Sequence, residues 1–179
     1  MFPAAHLGIG SVLGRLVSAT LPFQWLLLGT LLPDLIDKPS FFALGLIEYF
    51  TTGGWVPGKR GIAHTLLFLV AVAAVAATRR SRSWAAVGVG DATHLLLDFI
   101  SKAWGAHDAI QRNLCVLMWP ACGFTFPTLA YGLHGRPMLW LEAVGLLLLI
   151  IQLAVKPLRP PALVSSKGAI KALKAIDED

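Results

Sequence analysis

Six residues of this sequence have side chains that bind metals or move protons and stand at spacings that could bring them together: His6, Asp34, Asp37, His64, His94 and Asp98. His94 and Asp98 are four apart in Gly90-Asp91-Ala92-Thr93-His94-Leu95-Leu96-Leu97-Asp98, which puts both on one face of a helix. Asp34 and Asp37 are three apart in Leu32-Pro33-Asp34-Leu35-Ile36-Asp37, again one face if a helix continues through them. Three imidazoles and three carboxylates form a mixed nitrogen and oxygen donor set, which suits zinc, manganese or iron better than an ion that prefers thiolates. The chemistry this set could support is hydrolysis by a metal-activated water. The expected cofactor is a divalent transition metal, zinc before manganese. Six donors exceed what one tetrahedral ion with an open position requires, so either some of them support the ligands through hydrogen bonds or two ions bind.

The elements that must position these residues are apolar helices. Gly61 to Thr78 and Trp84 to Ile100 are two apolar stretches separated by Arg79, Arg80, Ser81, Arg82 and Ser83, a helical hairpin with a charged tip. With that tip near residue 80 or 81, positions at equal depth sum to about 161, so His64 faces about residue 97 and, at about 1.5 Å rise per residue, His94 and Asp98 bracket it within about 5 Å. Two more groups can reach this level, the Asp34/Asp37 pair and His6, which lies just inside the first apolar segment, Ala5 to Ala19.

Elsewhere, Met138 to Val155 carries only Glu142 as a charge and ends at Lys156, Pro157, Arg159, Pro160 and Pro161. That pattern predicts a membrane span with a basic, helix-incompatible stop. Leu21 to Leu32 and Phe41 to Phe50 are shorter apolar runs that predict partial or tilted spans, and Asn113 to Leu133, with Pro120 and Pro127, predicts a broken or re-entrant segment. The tail from Pro157 steps Ile170, Leu173 and Ile176 between Lys167, Lys171 and Lys174, a short interfacial helix or a solvated tail.

Composition agrees with that organisation. Of the 179 residues 56% are hydrophobic and 14% charged, against about 45–50% apolar and about 25% charged in soluble domains, which argues against a soluble globule and against disorder. Two cysteines, Cys115 and Cys122, do not make a disulfide scaffold. A net charge of +5 could suggest nucleic acid, but the basic residues are scattered among apolar runs, so no nucleic-acid partner is expected. The N-terminal residues lack the basic region of a signal peptide, so the mature chain is expected to start at Met1. The expected fold is all-α, a polytopic integral membrane helical bundle with short or broken helices and a polar metal site near one membrane face. Residues 1–156 would form one transmembrane domain and 157–179 a basic tail. Eight basic residues at the hairpin tip and C-terminal side, against six opposite, favour a cytoplasmic tip (79–82) and tail in the plasma or inner membrane.

Ionisable groups inside apolar segments are costly unless paired or bound, which is why this cluster outweighs its plain alternatives: an interfacial His6, a helix-ending Asp34, a packing His64, a structural His94–Asp98 hydrogen bond. Glu142 must face protein or a polar cavity. His107, Asp108 and His134 read as solvent-facing, the cysteines as small apolar residues, and Trp55, Trp84, Trp104 and Trp119 as an interfacial belt. Lys59 and Arg60 could neutralise an anionic substrate or simply snorkel.

His6-Leu7-Gly8-Ile9-Gly10, Leu32-Pro33-Asp34, Arg60-Gly61-Ile62-Ala63-His64-Thr65, His94-Leu95-Leu96-Leu97-Asp98 and Trp119-Pro120, in that order over most of residues 1 to 120, resemble the motifs of the YdjM-like family of membrane-bound, metal-dependent hydrolases. The resemblance implies His6, Asp34, His64, His94 and Asp98 as the metal and catalytic set. The chain departs from the family's frequent Pro-Asp-x-Asp by one extra residue before Asp37, and has Lys59 and Ala63 where histidine and threonine are common.

The expected function is therefore a membrane-bound hydrolase of a lipid-like ester or phosphoester. His6, Asp34, His64, His94 and Asp98 would hold the metal, Asp34 and Asp37 would act as catalytic carboxylates (Asp37 as base or as support for a ligand), and Arg60 would bind phosphate. Membrane lipids are the expected partners. The alternatives are a cation or proton transporter, or a structural protein in which the same cluster ties helices together.

Overall fold

The computed structural model describes residues 3–52, 61–103, 111, 114–122 and 136–155, and among them every regular element is helical. The chain begins with a helical segment made of α1 (Pro3–Ala5), a π-helical turn (His6–Gly10) and α2 (Ser11–Val17). It continues through α3 (Phe23–Thr52), a 3-10 turn (Ile62–His64), α4 (Leu66–Arg79), α5 (Arg82–Ala103) and α6 (Arg136–Ala154).

The two short runs expected at Leu21 to Leu32 and Phe41 to Phe50 are one helix. α3 continues through both Pro33 and Pro39, because each proline removes only its own N–H bond and α3 packs along α5, which holds the chain in place across the break. The expected hairpin is α4 and α5. Thr65 starts α4 by accepting the Phe68 N–H on its hydroxyl (3.2 Å), and the helix ends at Arg80 in the left-handed region (φ 46°). There Ser81 N–H reaches the Ala76 carbonyl and Arg80 N–H the Ala77 carbonyl, both at 3.2 Å, the pairing that closes a helix end before a reversal. Ser81 then opens α5, accepting Ala85 N–H on its carbonyl (3.0 Å).

α3 and α5 touch backbone to backbone at Gly29 and Gly90: a Cβ on Gly29 would lie 2.2 Å from the Val87 carbonyl oxygen and one on Gly90 2.3 Å from that of Leu26. Small residues at a helix crossing permit this approach. The interior they enclose is unusually polar, with His6, Ser11, Thr30, Asp91, His94 and Asp98 all at most 2% exposed. Large apolar residues lie outside instead, among them Phe42, Ile47, Leu67, Val70, Leu147 and Ile150.

The segment expected to span, Met138 to Val155, is helical as α6. Among the described residues, however, no helix is long and apolar enough to cross a membrane. Of the broken segment only 114–122 are described, a helical turn followed by turns, with Cys115 half-buried and Cys122 exposed as free thiols. The tail from 157 onward, along with Trp55, Lys59, Arg60, Trp104, His107, Asp108 and His134, lies outside the described residues.

Candidate metal centre

His6 opens the π turn rather than standing in a regular helix, a local widening of the kind that often re-aims side chains at functional sites. α6 pins this turn. Gly8 and Gly145 meet so closely that a Cβ on Gly8 would sit 1.7 Å from the Gly145 carbonyl oxygen. Gln152 Nε2 donates to the Gly8 carbonyl (3.2 Å) and to Ser11 Oγ (2.9 Å), and the Ser11 hydroxyl donates to the same carbonyl (3.1 Å). Glu142, expected to need a protein partner, accepts the Ala5 N–H on Oε2 at 3.0 Å, a carboxylate near a helix start where the exposed N–H groups favour it.

His64 is held in the 3-10 turn before α4, with the Thr65 hydroxyl donating to the Ile62 carbonyl (2.7 Å). Asp37 fixes this turn against α3. Its carboxylate accepts the N–H of Gly61 (2.9 Å) and of Ala63 (3.2 Å), and Oδ2 lies 2.6 Å from His64 Nδ1. A side chain at position 61 would collide with that carboxylate, since a Cβ there would be 2.3 Å from Asp37 Oδ1. On α5, His94 Nδ1 lies 2.7 Å from the Thr30 carbonyl oxygen, and the rings of His6 and His94 stack at 3.9 Å.

These contacts decide the tautomers. A carbonyl only accepts, so His94 Nδ1 carries the proton, and Asp37, which already accepts two backbone N–H groups, is matched by the same tautomer of His64. Both Nε2 lone pairs are then turned toward each other, 3.3 Å apart. Two lone pairs at that distance repel unless a cation, or a proton on one of the nitrogens, lies between them. Around them stand Asp34 Oδ1, 3.6 Å from His64 Nε2, and Asp98 Oδ2, 3.8 Å from His64 Nε2 and 4.0 Å from His94 Nε2. His6 Nε2 is 3.5 Å from Asp98 Oδ1.

Two donor groups, His6/His94/Asp98 and Asp34/His64/His94, each have ligand atoms within 4.8 Å of one another. They share His94, whose single available nitrogen can bind one ion, so they fit the shell of one ion better than two separate sites. Ligands about 2.0–2.2 Å from an ion stand roughly 3–4 Å from each other, the spacing seen here, and the set could therefore hold a metal ion.

The five expected metal ligands thus converge, and the depth argument for His64, His94 and Asp98 agrees with the contacts found. Asp37 is also present, but beside His64 Nδ1. Arg60 lies outside the described residues. Sequence reading missed the Thr30 carbonyl, because a backbone acceptor leaves no residue signature, and it missed Gln152, which polar type alone could have flagged within an apolar run. It also passed over Asp91, whose side chain is fully buried with neither oxygen hydrogen-bonded.

An all-helical scaffold around a buried histidine and aspartate cluster able to hold a metal ion is the class of protein that fold and site define. The family model for the YdjM inner membrane protein matches residues 1–159, and the chain belongs to that family. No curated protein and no solved structure matches it.

Proposed function

We propose that this chain is a membrane-embedded, metal-dependent hydrolase acting on an ester or phosphoester of an amphiphilic substrate. The observation that carries the reading is the pair of facing Nε2 atoms of His64 and His94, 3.3 Å apart with each Nδ1 against an acceptor. Two carboxylates and a third imidazole complete a donor set suited to zinc or manganese. A divalent ion there supplies an acidified water and a Lewis acid for the scissile oxygen.

The residues divide the remaining work. Asp37 and the Thr30 carbonyl hold the two imidazoles in the tautomer that leaves Nε2 as ligand, an arrangement that also raises ligand basicity. With three contacts of its own, Asp37 suits this support better than it suits proton transfer. Asp34, whose outer oxygen is held by Lys38 at 2.6 Å, is the donor nearest solvent: its side chain is 14% exposed, against 4% or less for His6, His64, His94 and Asp98. It is therefore the donor that water and substrate meet first.

Membrane embedding is supported by the family's description and by the outward-facing apolar side chains of α3, α4 and α6, with polar residues gathered inside. In that reading the helices form a polytopic bundle in the inner membrane, and lipids are both surroundings and candidate substrates. The test is elemental analysis of detergent-purified wild type and a folded His64→Ala/His94→Ala variant, followed by assays on lipid phosphates and esters. About one equivalent of metal in the wild type, little in the variant, and hydrolysis that follows the metal are expected. Metal-independent turnover in both would reject the reading.

A further inference from the structure

We infer that the centre is entered at Asp34 and that Lys38 there is the binding group for an anionic head, so that the substrate is an anionic amphiphile; this rests on the hydrolase reading above. Asp34 turns Oδ1 toward His64 Nε2 (3.6 Å) and Oδ2 toward Lys38 Nζ (2.6 Å). One carboxylate therefore links the buried donors to a lysine whose side chain is 52% exposed. The other four donors are almost sealed, so among the described donors Asp34, with the Lys38 ammonium on its outer oxygen, is the one that faces solvent.

The Lys38 ammonium lies against a donor carboxylate while its own side chain stays half exposed, and an ammonium beside the donor set recognises a phosphate or carboxylate group as a point charge. Apolar side chains are exposed on the same two elements: Leu35 (53%) directly follows Asp34, and Ile62 (46%) lies in the turn that carries His64. A head group at Lys38 would leave its alkyl chain to lie over exposed apolar side chains of these elements. An i,i+4 ion pair on a helix is common and weak by itself; the contact of the same carboxylate with a buried histidine cluster is what gives Lys38 a role.

The experiment uses the full chain in a neutral detergent, loaded with zinc, as wild type, Lys38→Ala, Lys38→Glu and Lys38→Arg. Metal content is measured by elemental analysis, and binding of inorganic phosphate, dodecyl phosphate and neutral dodecanol by calorimetry. Expected are unchanged metal content, affinity for both phosphates at least about tenfold weaker in Lys38→Ala and Lys38→Glu, and near-complete retention in Lys38→Arg. Dodecyl phosphate should bind more tightly than inorganic phosphate, whereas equal affinity would overturn the amphiphile in favour of a soluble anion. Undiminished phosphate binding in Lys38→Glu with metal retained would overturn the Lys38 assignment. Metal loss in Lys38→Ala would do so too, since the lysine would then serve only to hold Asp34. A wild type that takes up no metal would instead remove the hydrolase reading, and the Lys38 comparison would still decide the anion site on that protein.

Discussion

Asp37 Oδ2 lies 2.6 Å from His64 Nδ1, while the same carboxylate accepts the N–H groups of Gly61 and Ala63. One side chain of α3 thereby sets both the orientation of an imidazole and the path of the turn that carries it. Replacing Asp37 with Asn is expected to weaken metal affinity by about 10–100-fold without abolishing binding, the usual cost of losing a ligand's hydrogen-bonding partner. Chelator competition against wild type checks this. If Asp37 were the general base instead, Asp37→Asn would stop turnover at full metal occupancy.

Metal removal should loosen the fold as well as the site, because the donors come from the N-terminal segment, α3, the 3-10 turn and α5. An ion bound only by the folded state stabilises by about 2.7 kcal/mol at a free concentration of 100 Kd. Thermal unfolding in detergent with and without chelator should show that loss for the wild type. No difference is expected for the His64→Ala/His94→Ala variant.

Gly145→Ala should act at a distance. A Cβ there would lie 2.4 Å from Ala5 Cα, with backbone that cannot swing aside, so α6 must move away from the turn that carries His6. A destabilisation of about 1–3 kcal/mol is expected from such overpacking, together with weaker metal retention. Unfolding and metal content measured on the same sample test both halves.

Asp91 is fully buried and neither carboxylate oxygen has a hydrogen bond. A carboxylate charge buried without partners costs far more than a neutral amide, so the near-isosteric Asp91→Asn is expected to be neutral or stabilising by up to about 2 kcal/mol. Metal content should not change. A strong loss of stability in thermal denaturation would mean that Asp91 is held by a group not evident from its surroundings.

Arg80 occupies the left-handed region at the hairpin tip (φ 46°) with an exposed side chain. Glycine takes that conformation without a Cβ clash, so Arg80→Gly should stabilise by about 0.5–1 kcal/mol. A thermal midpoint unchanged or lowered would contradict this.

The all-helical class, the α4–α5 hairpin and the convergence of most of the candidate donors were legible in the sequence. A helix has a fixed rise and turn, so His94 and Asp98 had to share a face, and a charged tip near residue 80 had to bring His64 to their level. The same arithmetic could not reach contacts between elements that are far apart in the chain. Tertiary structure alone decided that α3 runs on through Pro33 and Pro39, where α5 lies against it. It decided too that His6 enters on a π turn pressed against Gly145, and that Asp37 lies at Nδ1 of His64, leaving Asp34 at the mouth. Spacing placed two carboxylates on one face, but which of them supports a ligand and which meets solvent depends on how Gly61 and His64 close over α3, and that follows from packing across 24 to 27 residues of chain.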